Sequence, residues 1–307
     1  MGLHNGIVVV IPAYNEERFI GSVALKARQQ AEVVIVVDDG STDCTAEVAQ
    51  VSGAVVIKHN QNLGKGCAVN TGFRVALKYS PKVVVLMDAD GQHLPEQMQA
   101  LVKPVLEGRA DIVIGSRYIR LTSQVPLQRV WGHRAFNWLT WLASGVASTD
   151  SQSGYRAFSP TAVESIVFKS QGFAVETEMQ FITHELKLRL IEVPITIQYQ
   201  DKPKRSAWGQ GMSVLNEMLK LTGQYRPLLS IGLPGLMMLL IGIGLGLFVV
   251  ERFDQGHVLA VGHAIACMLI SISGLITLST GVILHSVRGF FQDFLVSQMK
   301  NTGQKSM

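Results

Sequence analysis

Charged residues are scarce in this 307-residue chain, at 16% of the sequence against roughly 25% in a typical soluble protein. The scarcity is local, because residues 228–250 and 255–287 contain no Asp, Glu, Lys or Arg. Each run is longer than the roughly 20 residues that cross a bilayer as a helix. The rest of the chain is too short to surround two such runs as a core. They therefore predict two transmembrane helices rather than buried helices of a soluble protein.

Cysteine is nearly absent as well. Cys44, Cys67 and Cys267 have neither metal-ligand spacing nor the pattern of a disulfide framework, which is typical of a reducing compartment. The formal net charge is +4, yet the basic residues concentrate near the apolar runs. The chain also lacks an aromatic and basic platform for single-stranded nucleic acid. We therefore expect a lipid bilayer and an anionic lipid or lipid phosphate as partners, and no nucleic acid.

A recognisable signal peptide is also missing, since the chain leads from residue 6 directly into a strand-like run. The loop between the apolar runs, residues 251–254, carries no excess of positive charge. By the positive-inside rule, this predicts an integral cell-membrane protein with two spans, a cytoplasmic N-terminal domain and both termini in the cytoplasm. The basic residues that flank the spans are Lys202, Lys204, Arg205, Lys220, Arg226, Arg288 and Lys300.

Strand-like and helix-like segments alternate over the first part of the chain. Apolar runs of strand length are separated by longer segments with helical periodicity. This order predicts an α/β fold with a mainly parallel, doubly wound, Rossmann-like sheet. The predicted strands are 7–11, 33–37, 54–58, 83–87 and 112–114, and the predicted helices are 16–30, 42–51, 66–79 and 95–107.

Two acids follow the fully apolar run 83–87, at Asp88 and Asp90, and Gln92 comes two residues later. A buried parallel strand delivers such residues to its carboxyl end, where open α/β sheets bind their ligands. Carboxylate and amide oxygens are hard ligands suited to Mg²⁺ or Mn²⁺, and such an ion completes its shell with substrate phosphates. For an isolated D-x-D, a solvated acidic turn is the commoner explanation. Other segments with the same chemistry make the metal site the better hypothesis here.

Polar residues also follow the first predicted strand. Tyr14 can stack on a nucleobase, and Glu16 can accept a hydrogen bond from a ribose or base. The alternative is purely structural, with Asn15 capping the next helix.

The second predicted strand ends at Asp38 and Asp39, a position where dinucleotide-binding folds hold a ribose or base. Ser41, Thr42 or Asp43 can cap the following helix, and both roles are compatible. Farther on, Gly64 and Lys65 precede a helix and can approach a diphosphate, although the spacing is not that of a Walker A loop.

Two amphipathic segments are candidates for helices in the membrane interface. In residues 127–146, Trp131, Ala135, Trp138 and Leu142 fall on one helical stripe beside several cations. Packing of that stripe against the sheet is an equal alternative. The second segment, 212–225, leads directly into the first span, which favours the interface.

Four segments occur in an order that resembles family 2 glycosyltransferases with the GT-A fold. They are V-V-I-P-A-Y-N-E-E at 9–17, V-V-D-D-G-S-T-D at 36–43, N-L-G-K-G at 62–66 and D-A-D-G-Q-H at 88–93. Further segments resemble the dolichyl- or polyprenyl-phosphate sugar synthases, the branch that contains dolichol-phosphate mannosyltransferase. These are I-G-S-R-Y at 114–118, D-S-Q-S-G-Y-R-A-F at 150–158, E-T-E-M at 176–179 and E-V-P-I at 192–195.

The resemblance implies a function and a domain plan. The expected reaction is metal-dependent, inverting transfer of a monosaccharide from a nucleotide sugar, GDP-mannose or a UDP-sugar, to dolichyl or polyprenyl phosphate. The expected cofactor is Mg²⁺ or Mn²⁺. The expected parts are a GT-A domain at 1–210, a juxtamembrane amphipathic helix at 211–226, two transmembrane helices within 227–288 and a cytoplasmic tail at 289–307.

The resemblance also implies residue roles. Arg117 would face the donor diphosphate or the acceptor phosphate. Lys204 and Arg205 would form a basic loop that closes on the donor, although Gly209 lies one residue farther from Arg205 than the family pattern has it. Asp90, Arg117 and Arg205 would be the catalytic residues. The nucleoside and donor residues would be Pro12, Tyr14, Glu16, Asp38, Asp39, Gly64, Lys65, Asp88 and Ala89. The metal ligands would be Asp88, Asp90 and Gln92. The acceptor-phosphate residues would be Arg117, Arg129, Arg134, Ser153 and Arg156, although contact with lipid headgroups or a solvated face is an equal alternative for Arg129 and Arg134.

A lipid phosphate is largely dianionic near neutral pH, so it needs little help from a general base. Asp150 or Glu178 is a candidate base, and each can equally orient an arginine such as Arg156.

Two other functions stay open at this point. One is transfer to a glycolipid or polysaccharide, although the Q-x-x-R-W motif of processive synthases is absent. The other is a non-catalytic nucleotide-binding membrane protein, which the presence of the acids and cations above disfavours. Self-association through the spans is also open.

Overall fold

The computed structural model describes residues 6–119, 137–138, 140–169, 175–197, 216, 219–256 and 261–303, with the backbone alone at 255–256 and 292–303. The chain divides into two compact units, Met1–Val214 and Leu215–Met307. The finer division at residues 210, 226 and 288 stays a prediction.

The first unit alternates strands and helices, as its hydrophobic pattern predicts. Its strands are β1 (Ile7–Ala13), β2 (Val33–Asp38), β3 (Val55–Lys58), β4 (Val83–Leu86), β5 (Ile112–Ser116), β6 (Arg156–Phe158) and β7 (Leu190–Pro194). Its helices are α1 (Glu17–Arg28), α2 (Thr45–Val51), α3 (Lys65–Leu77), α4 (Met98–Leu106), α5 (Pro160–Ser165) and α6 (Val175–Glu185), with a 3₁₀ turn at Pro95–Gln97.

The strands form one sheet in the order β3-β2-β1-β4-β6-β5-β7. Every neighbouring pair is parallel except those of β6, which runs antiparallel between β4 and β5. The predicted α/β fold with a mainly parallel sheet is confirmed. The sequence pattern missed β6 and β7, because β6 has only three residues and β7 is half-exposed.

The inserted strand decides which loops meet. Arg156, the first residue of β6, pairs with Leu86 near the end of β4 and with Ile114 near the end of β5. Since β6 runs the other way, the loop that enters it lies at the carboxyl edge of its neighbours. The segment 150–155 is thereby brought to the edge where residues 88–93 and 116–117 emerge.

Helix α3 packs unusually close to the centre of the sheet. A methyl group at Gly72 would overlap the side chain of Val10 on β1, so glycine is required for this approach. Val10 and its neighbours on β1 are fully buried, which makes this strand the centre of the core. The close contact holds the start of α3, at Lys65, near the carboxyl edge of the sheet.

The second unit is helical. After a helical segment at 219–225 and a π-helical turn at Leu228–Gly232, it contains α7 (Leu233–Gly256) and α8 (Val261–Gly303). The described residues include two candidate spans, Leu228–Asp254 and Val261–Phe291, with mean hydropathies of 2.4 and 2.1. Only 11% and 17% of their most apolar windows are buried, unlike the core helices of a soluble protein. The structure therefore supports the membrane interpretation.

Small residues line the contact between α7 and α8. A methyl group at Gly235 would overlap the backbone of Leu278, and one at Gly274 would overlap the backbone of Leu239. Gly242 lies in the same way against Ser271. Such residues let two helices approach closely without a hydrophobic driving force between them, as lipid-embedded helices must.

Candidate active site

Polar segments from five strands meet at the carboxyl edge of the sheet. Residues after β1, β2, β4 and β5 emerge there, together with the segment that precedes β6. Open α/β sheets bind ligands in the crevice at this edge.

The turns after β1 and β2 are bonded to each other. Asn15 has a φ of 54° and accepts a hydrogen bond from the amide of Thr42 at 2.9 Å, while its own amide donates to Oγ of Ser41 at 2.9 Å. The amide of Glu16 donates to Oγ1 of Thr45 at 2.8 Å. The interpretation of Asn15 as a helix cap is wrong, because its side chain crosses to the neighbouring turn. Helix α2 begins at Thr45 rather than Thr42, since the preceding residues serve this cross-link.

Tyr14 is the exposed aromatic residue of the first turn. Its side chain is 45% exposed, which leaves its ring accessible to a base. Pro12 and Ala89, both expected near the nucleoside, are buried. They can shape the floor of a pocket but present little surface to a ligand.

The two acids after β2 have different surroundings. Asp38 is fully buried, with Oδ1 accepting from the amide of Ser41 at 3.0 Å. Its Oδ2 accepts no hydrogen bond and lies 3.7 Å from Nζ of Lys58. A buried carboxylate oxygen without a hydrogen bond is costly unless a ligand satisfies it. The nearest described cation to this oxygen is the Lys58 ammonium, and contact of Asp38 with a nucleoside stays a prediction.

Asp39 instead orders the loop that leads into α3. Its carboxylate accepts hydrogen bonds from the amides of Leu63, at 3.0 Å, and Gly64, at 2.7 Å, and lies 2.7 Å from Nδ1 of His59. Both oxygens are thus occupied, and the side chain is buried. In this structure Asp39 holds the loop that carries Lys65, and its contact with a nucleoside stays a prediction.

One ammonium and two carboxylates form the centre of the site. Nζ of Lys65 lies 2.6 Å from Oδ1 of Asp88 and 2.5 Å from Oε1 of Glu176. Burial raises the pKa of Asp88, but attraction to Lys65 and contacts with His93 outweigh it and hold that pKa far below its usual range. Burial lowers the pKa of Lys65, and the two carboxylates outweigh it and raise that pKa. Lys65 and Asp88 are therefore both charged near neutral pH.

Gly154 lies directly against the Asp88 carboxylate. A methyl group at position 154 would overlap both carboxylate oxygens. On the other side, Nε2 of His93 lies 3.4 Å from Oδ2 of Asp88, and the His93 ring packs on Tyr155 with 5.0 Å between centroids. The Asp88 carboxylate is thus held by contacts from three separate segments.

Asp90 has no cationic partner among the described residues. Its Oδ1 accepts from the amide of Gln92 at 3.0 Å. Burial and repulsion by Asp88 raise its pKa, so a cation near it would relieve a real electrostatic cost. Within the described ranges no three His, Cys, Asp or Glu side chains form a metal-binding group. The two carboxylates Asp88 and Asp90 would suit an ion such as Mg²⁺, which proteins hold by one or two carboxylates together with substrate phosphates.

Arg117 and Asp150 form a closed pair beyond the end of β5. Nε and Nη2 of Arg117 donate to the two oxygens of Asp150, each at 2.6 Å, and the amide of Arg117 donates to Oδ2 at 3.1 Å. Asp150 is fully buried, and the Arg117 side chain is 15% exposed. This geometry corrects one alternative: Asp150 orients Arg117 rather than Arg156, and with both oxygens occupied it is poorly placed to act as a base.

A second acid holds the loop that carries Asp150. The carboxylate of Glu192 on β7 accepts from Oγ of Ser148 at 2.6 Å and from the amide of Thr149 at 2.8 Å. The amide of Asp150 is 3.3 Å from the same carboxylate. Arg117 is therefore positioned through two successive layers of acidic side chains.

Three other candidates are occupied by structural contacts. Arg156 is fully buried and donates to the carbonyls of Ser151 and Ser153, each at 2.8 Å, and burial lowers its pKa. Ser153 is itself 1% exposed. Glu178 is fully buried and accepts from the amide of Lys169 at 3.0 and 3.1 Å. In this structure the three side chains serve structural contacts, and acceptor-phosphate binding by Arg156 and Ser153 and a base role for Glu178 stay predictions.

Some expected residues lie outside the residues that the structure describes. Of the aromatic stripe, Trp138 and Leu142 are described, and they are 57% and 48% exposed; the neighbouring Trp141 is 46% exposed. This contradicts packing of the described part of the stripe on the sheet and favours an interface with lipid. The expected residues outside the described ranges are Arg129, Arg134, Lys204 and Arg205.

Glu176 and His93 have no role predicted from the sequence. Both lie inside segments that carry the family resemblance, which is the one signal that could have drawn attention to them. The contact of Glu176 with Lys65 could not be predicted from local sequence, because the two residues are 111 positions apart along the chain.

Comparison with known proteins agrees with this geometry. The family model described as Glycosyl transferase family 2 matches residues 8–167. A UDP-N-acetylglucosamine–dolichyl-phosphate N-acetylglucosaminyltransferase of Methanococcus voltae is 32% identical over 64% of this chain and 86% of its own length. An undecaprenyl-phosphate mannosyltransferase of Micrococcus luteus is 32% identical over 68% of this chain and 91% of its own length.

Solved structures give the same architecture. Glucosyl-3-phosphoglycerate synthase from Mycobacterium tuberculosis, in complex with Mn²⁺, uridine diphosphate and glucosyl-3-phosphoglycerate, has a TM-score of 0.55 and 26% identity. The match covers 71% of this chain and 80% of that one. The same synthase has also been solved with Mg²⁺ and uridine diphosphate, with a TM-score of 0.57 and 25% identity.

Proposed function

This chain belongs to glycosyl transferase family 2, and we propose that it transfers a monosaccharide from a nucleotide-diphosphate sugar to a polyprenyl or dolichyl phosphate at a membrane. The observation that carries the proposal is the similarity to lipid-phosphate sugar transferases over 86% and 91% of their lengths. The two apolar helices of the second unit support it, since a lipid acceptor is met at a bilayer.

The donor would bind at the carboxyl edge of the sheet. Tyr14 is exposed enough to stack on a base, and Asp38 and Asp39 would contact the nucleoside, as the family resemblance implies. Lys65 is a cation suited to a diphosphate. We also propose that Lys204 and Arg205 approach the donor, as the family resemblance implies.

A divalent metal fits the acids beside Lys65. Asp90, with Asp88 and Gln92, would hold Mg²⁺ or Mn²⁺, and the bound ion would neutralise charge on the nucleotide diphosphate as it leaves. Metal-bound relatives of this fold support the assignment. A bound cation would also offset the burial and the repulsion by Asp88 that raise the pKa of Asp90.

The acceptor would supply its own nucleophile. A phosphate oxygen would attack the anomeric carbon as the bond from that carbon to the donor diphosphate breaks, and the nucleoside diphosphate would leave with the electron pair. This direct displacement inverts the anomeric centre. Asp150 and Glu178 are both occupied by structural contacts, in keeping with a reaction that needs no protein base. Arg117, with Arg129 and Arg134, would relieve repulsion between the two anionic substrates.

We propose that the two spans anchor the enzyme with its first unit in the cytoplasm. The flanking Lys and Arg residues support this orientation. The exposed Trp138 and Trp141 would add contact with lipid headgroups on the same side.

The test is an assay of membrane fractions with Mg²⁺ or Mn²⁺, labelled GDP-mannose and UDP-sugars, and added dolichyl or undecaprenyl phosphate. We expect label from one donor to move into the organic phase. Asp90→Ala should reduce this transfer roughly 100-fold or more. Glu164→Gln, which removes an exposed charge elsewhere on the first unit, should leave it unchanged.

Two outcomes would contradict parts of the proposal. Full transfer by Asp90→Ala would remove the metal assignment. Transfer to a glycolipid or polysaccharide, with none to a lipid phosphate, would replace the acceptor.

A further inference from the structure

Three distant parts of the chain meet at one ammonium group. Lys65 is the first residue of α3, Asp88 follows β4, and Glu176 lies in the first turn of α6. Nζ of Lys65 is 2.6 Å from Asp88 and 2.5 Å from Glu176. A lysine ammonium has three donors, so it can serve both carboxylates at once.

Glu176 is the most enclosed member of this cluster. Its side chain is 8% exposed, against 22% for Lys65 and 27% for Asp88. The side that opens toward solvent is therefore formed by Lys65 and Asp88, and Glu176 lies behind them. Glu176 is placed to act on a ligand through Lys65 rather than by touching it.

The turn that carries Glu176 is anchored to the segment before β6. The backbone carbonyl of Glu176 accepts from Nη2 of the buried Arg156 at 3.4 Å. Next to it, Oγ1 of Thr177 accepts from Nε2 of Gln152 at 2.9 Å. The same segment packs Gly154 against Asp88, so one loop fixes both carboxylates that share the ammonium.

We infer that Glu176 is a positioning residue of the donor site, which holds the Lys65 ammonium against Asp88. This inference rests on the proposed function, because it takes the nucleotide diphosphate as the ligand. A lysine side chain is a flexible stem of four carbons, and a single, partly exposed carboxylate holds its ammonium loosely. A second, buried carboxylate restricts it to one place, so that Asp88 is neutralised and the cation is ready for the diphosphate.

If Glu176 positions Lys65, removal of its charge should change nucleotide binding in the direction opposite to that expected from Coulomb attraction alone. Removing a negative charge beside an anionic ligand should strengthen binding if only Coulomb attraction matters. Removing the group that fixes Lys65 should weaken binding instead. Glu176→Gln, which keeps the size of the side chain and removes its charge, separates the two cases.

The experiment is a double-mutant cycle on the full chain purified in detergent. Binding of UDP and GDP, each with Mg²⁺, is titrated by calorimetry for wild type, Glu176→Gln, Lys65→Met and the double variant. We expect Glu176→Gln to raise the Kd roughly tenfold, the coupling typical of residues in contact. The double variant should have a Kd within about twofold of that of Lys65→Met, or a lower one. In that background no ammonium pairs with Asp88 and Glu176, so loss of the Glu176 charge only reduces repulsion of the anionic ligand. Donor KM should rise more than kcat falls.

Glu176→Asp keeps the charge and withdraws it by one methylene group. A positioning role predicts weakened binding by this variant too, whereas a charge-only role predicts binding like that of wild type. Because Glu176→Asp retains an acid at the site, it still tests the positioning role if Lys65→Met does not fold. Glu164→Gln is the exposed control for loss of one acid.

The outcomes separate this inference from the proposed function. Equal effects of Glu176→Gln on the Kd in both backgrounds would overturn the inference, and so would tighter nucleotide binding by Glu176→Gln. Nucleotide binding by wild type would still support the proposed function. Wild type that binds neither nucleotide and transfers no sugar would overturn both.

Discussion

The two ends of β5 carry the same arginine–aspartate pair in different surroundings. At the amino end, Nε and Nη2 of Arg189 donate to Asp111 at 3.0 and 2.9 Å, and the Arg189 amide adds a third bond at 2.8 Å. At the carboxyl end, Arg117 makes the same three bonds to Asp150. The side chains of the first pair are 59% and 18% exposed, and those of the second are 15% and 0% exposed.

The difference shows that hydrogen-bond geometry does not identify a functional pair. An exposed ion pair contributes little to stability, because water competes for both charges. A buried pair is strongly coupled to its surroundings, since removing one partner leaves an uncompensated charge. The Arg117–Asp150 pair also lies at the edge of the sheet where the ligand is expected, and Glu192 supports it from behind. The four predictions that follow test this contrast, beginning with the largest effect.

The sharpest test of the contrast is removal of each arginine. Arg117→Ala should lower sugar transfer roughly 100-fold or more, because it removes a cation expected to stabilise the separating charges. Arg189→Ala should leave transfer unchanged. Both are measured in the membrane-fraction assay per amount of folded protein. Equal loss of transfer in the two variants would contradict a special role for the carboxyl-end pair.

Removal of the two aspartates tests the effect of burial on stability. Asp150→Ala should lower the free energy of unfolding of the first unit by about 3 kcal/mol, because it leaves Arg117 largely buried without its partner. Asp111→Ala, at the exposed pair, should cost far less. Chemical denaturation followed by tryptophan fluorescence measures both. An equal cost would show that burial does not distinguish the pairs.

Glu192 tests the acidic support behind the carboxyl-end pair. Glu192→Gln keeps the size of the side chain but weakens its bonds to Ser148 and Thr149, and it should cost about 1–2 kcal/mol of stability. Transfer should fall less than in Arg117→Ala, because Asp150 remains. A loss as large as that of Arg117→Ala would indicate a direct role for Glu192.

The smallest expected effect is the pH dependence of the exposed pair. The hydrogen bond from Arg189 lowers the pKa of Asp111 below its ordinary value of 3.8. In the unfolded chain Asp111 therefore takes up a proton at a higher pH than in the folded protein. The pair stabilises the fold above pH 3.8, and this contribution is lost as the pH falls through the pKa of Asp111 in the folded protein. The small stability difference between wild type and Arg189→Ala near neutral pH should shrink in acid. A difference independent of pH would contradict this.

Much of the site was predictable from local pattern. Apolar runs that end in polar residues identified the ends of β1, β2 and β4, and with them Tyr14, Asp38 and Asp88. The period of the hydrophobic residues is a property of neighbours in the chain, so it can be read without the fold. Roles that depend on distant partners were not predictable in this way. Asp39 holds a loop and Asp150 holds Arg117, and neither partner is a sequence neighbour.

The sequence by itself determined the α/β alternation, the strand ends that carry acids and the two apolar runs long enough to span a bilayer. These follow from the order of apolar and polar residues along short stretches. Only the tertiary structure decided that β6 enters the sheet in reverse, that Glu176 reaches Lys65, and that one of two identical arginine–aspartate pairs is buried at the site. These depend on which segments pack side by side, and burial then sets the strength of every charge among them.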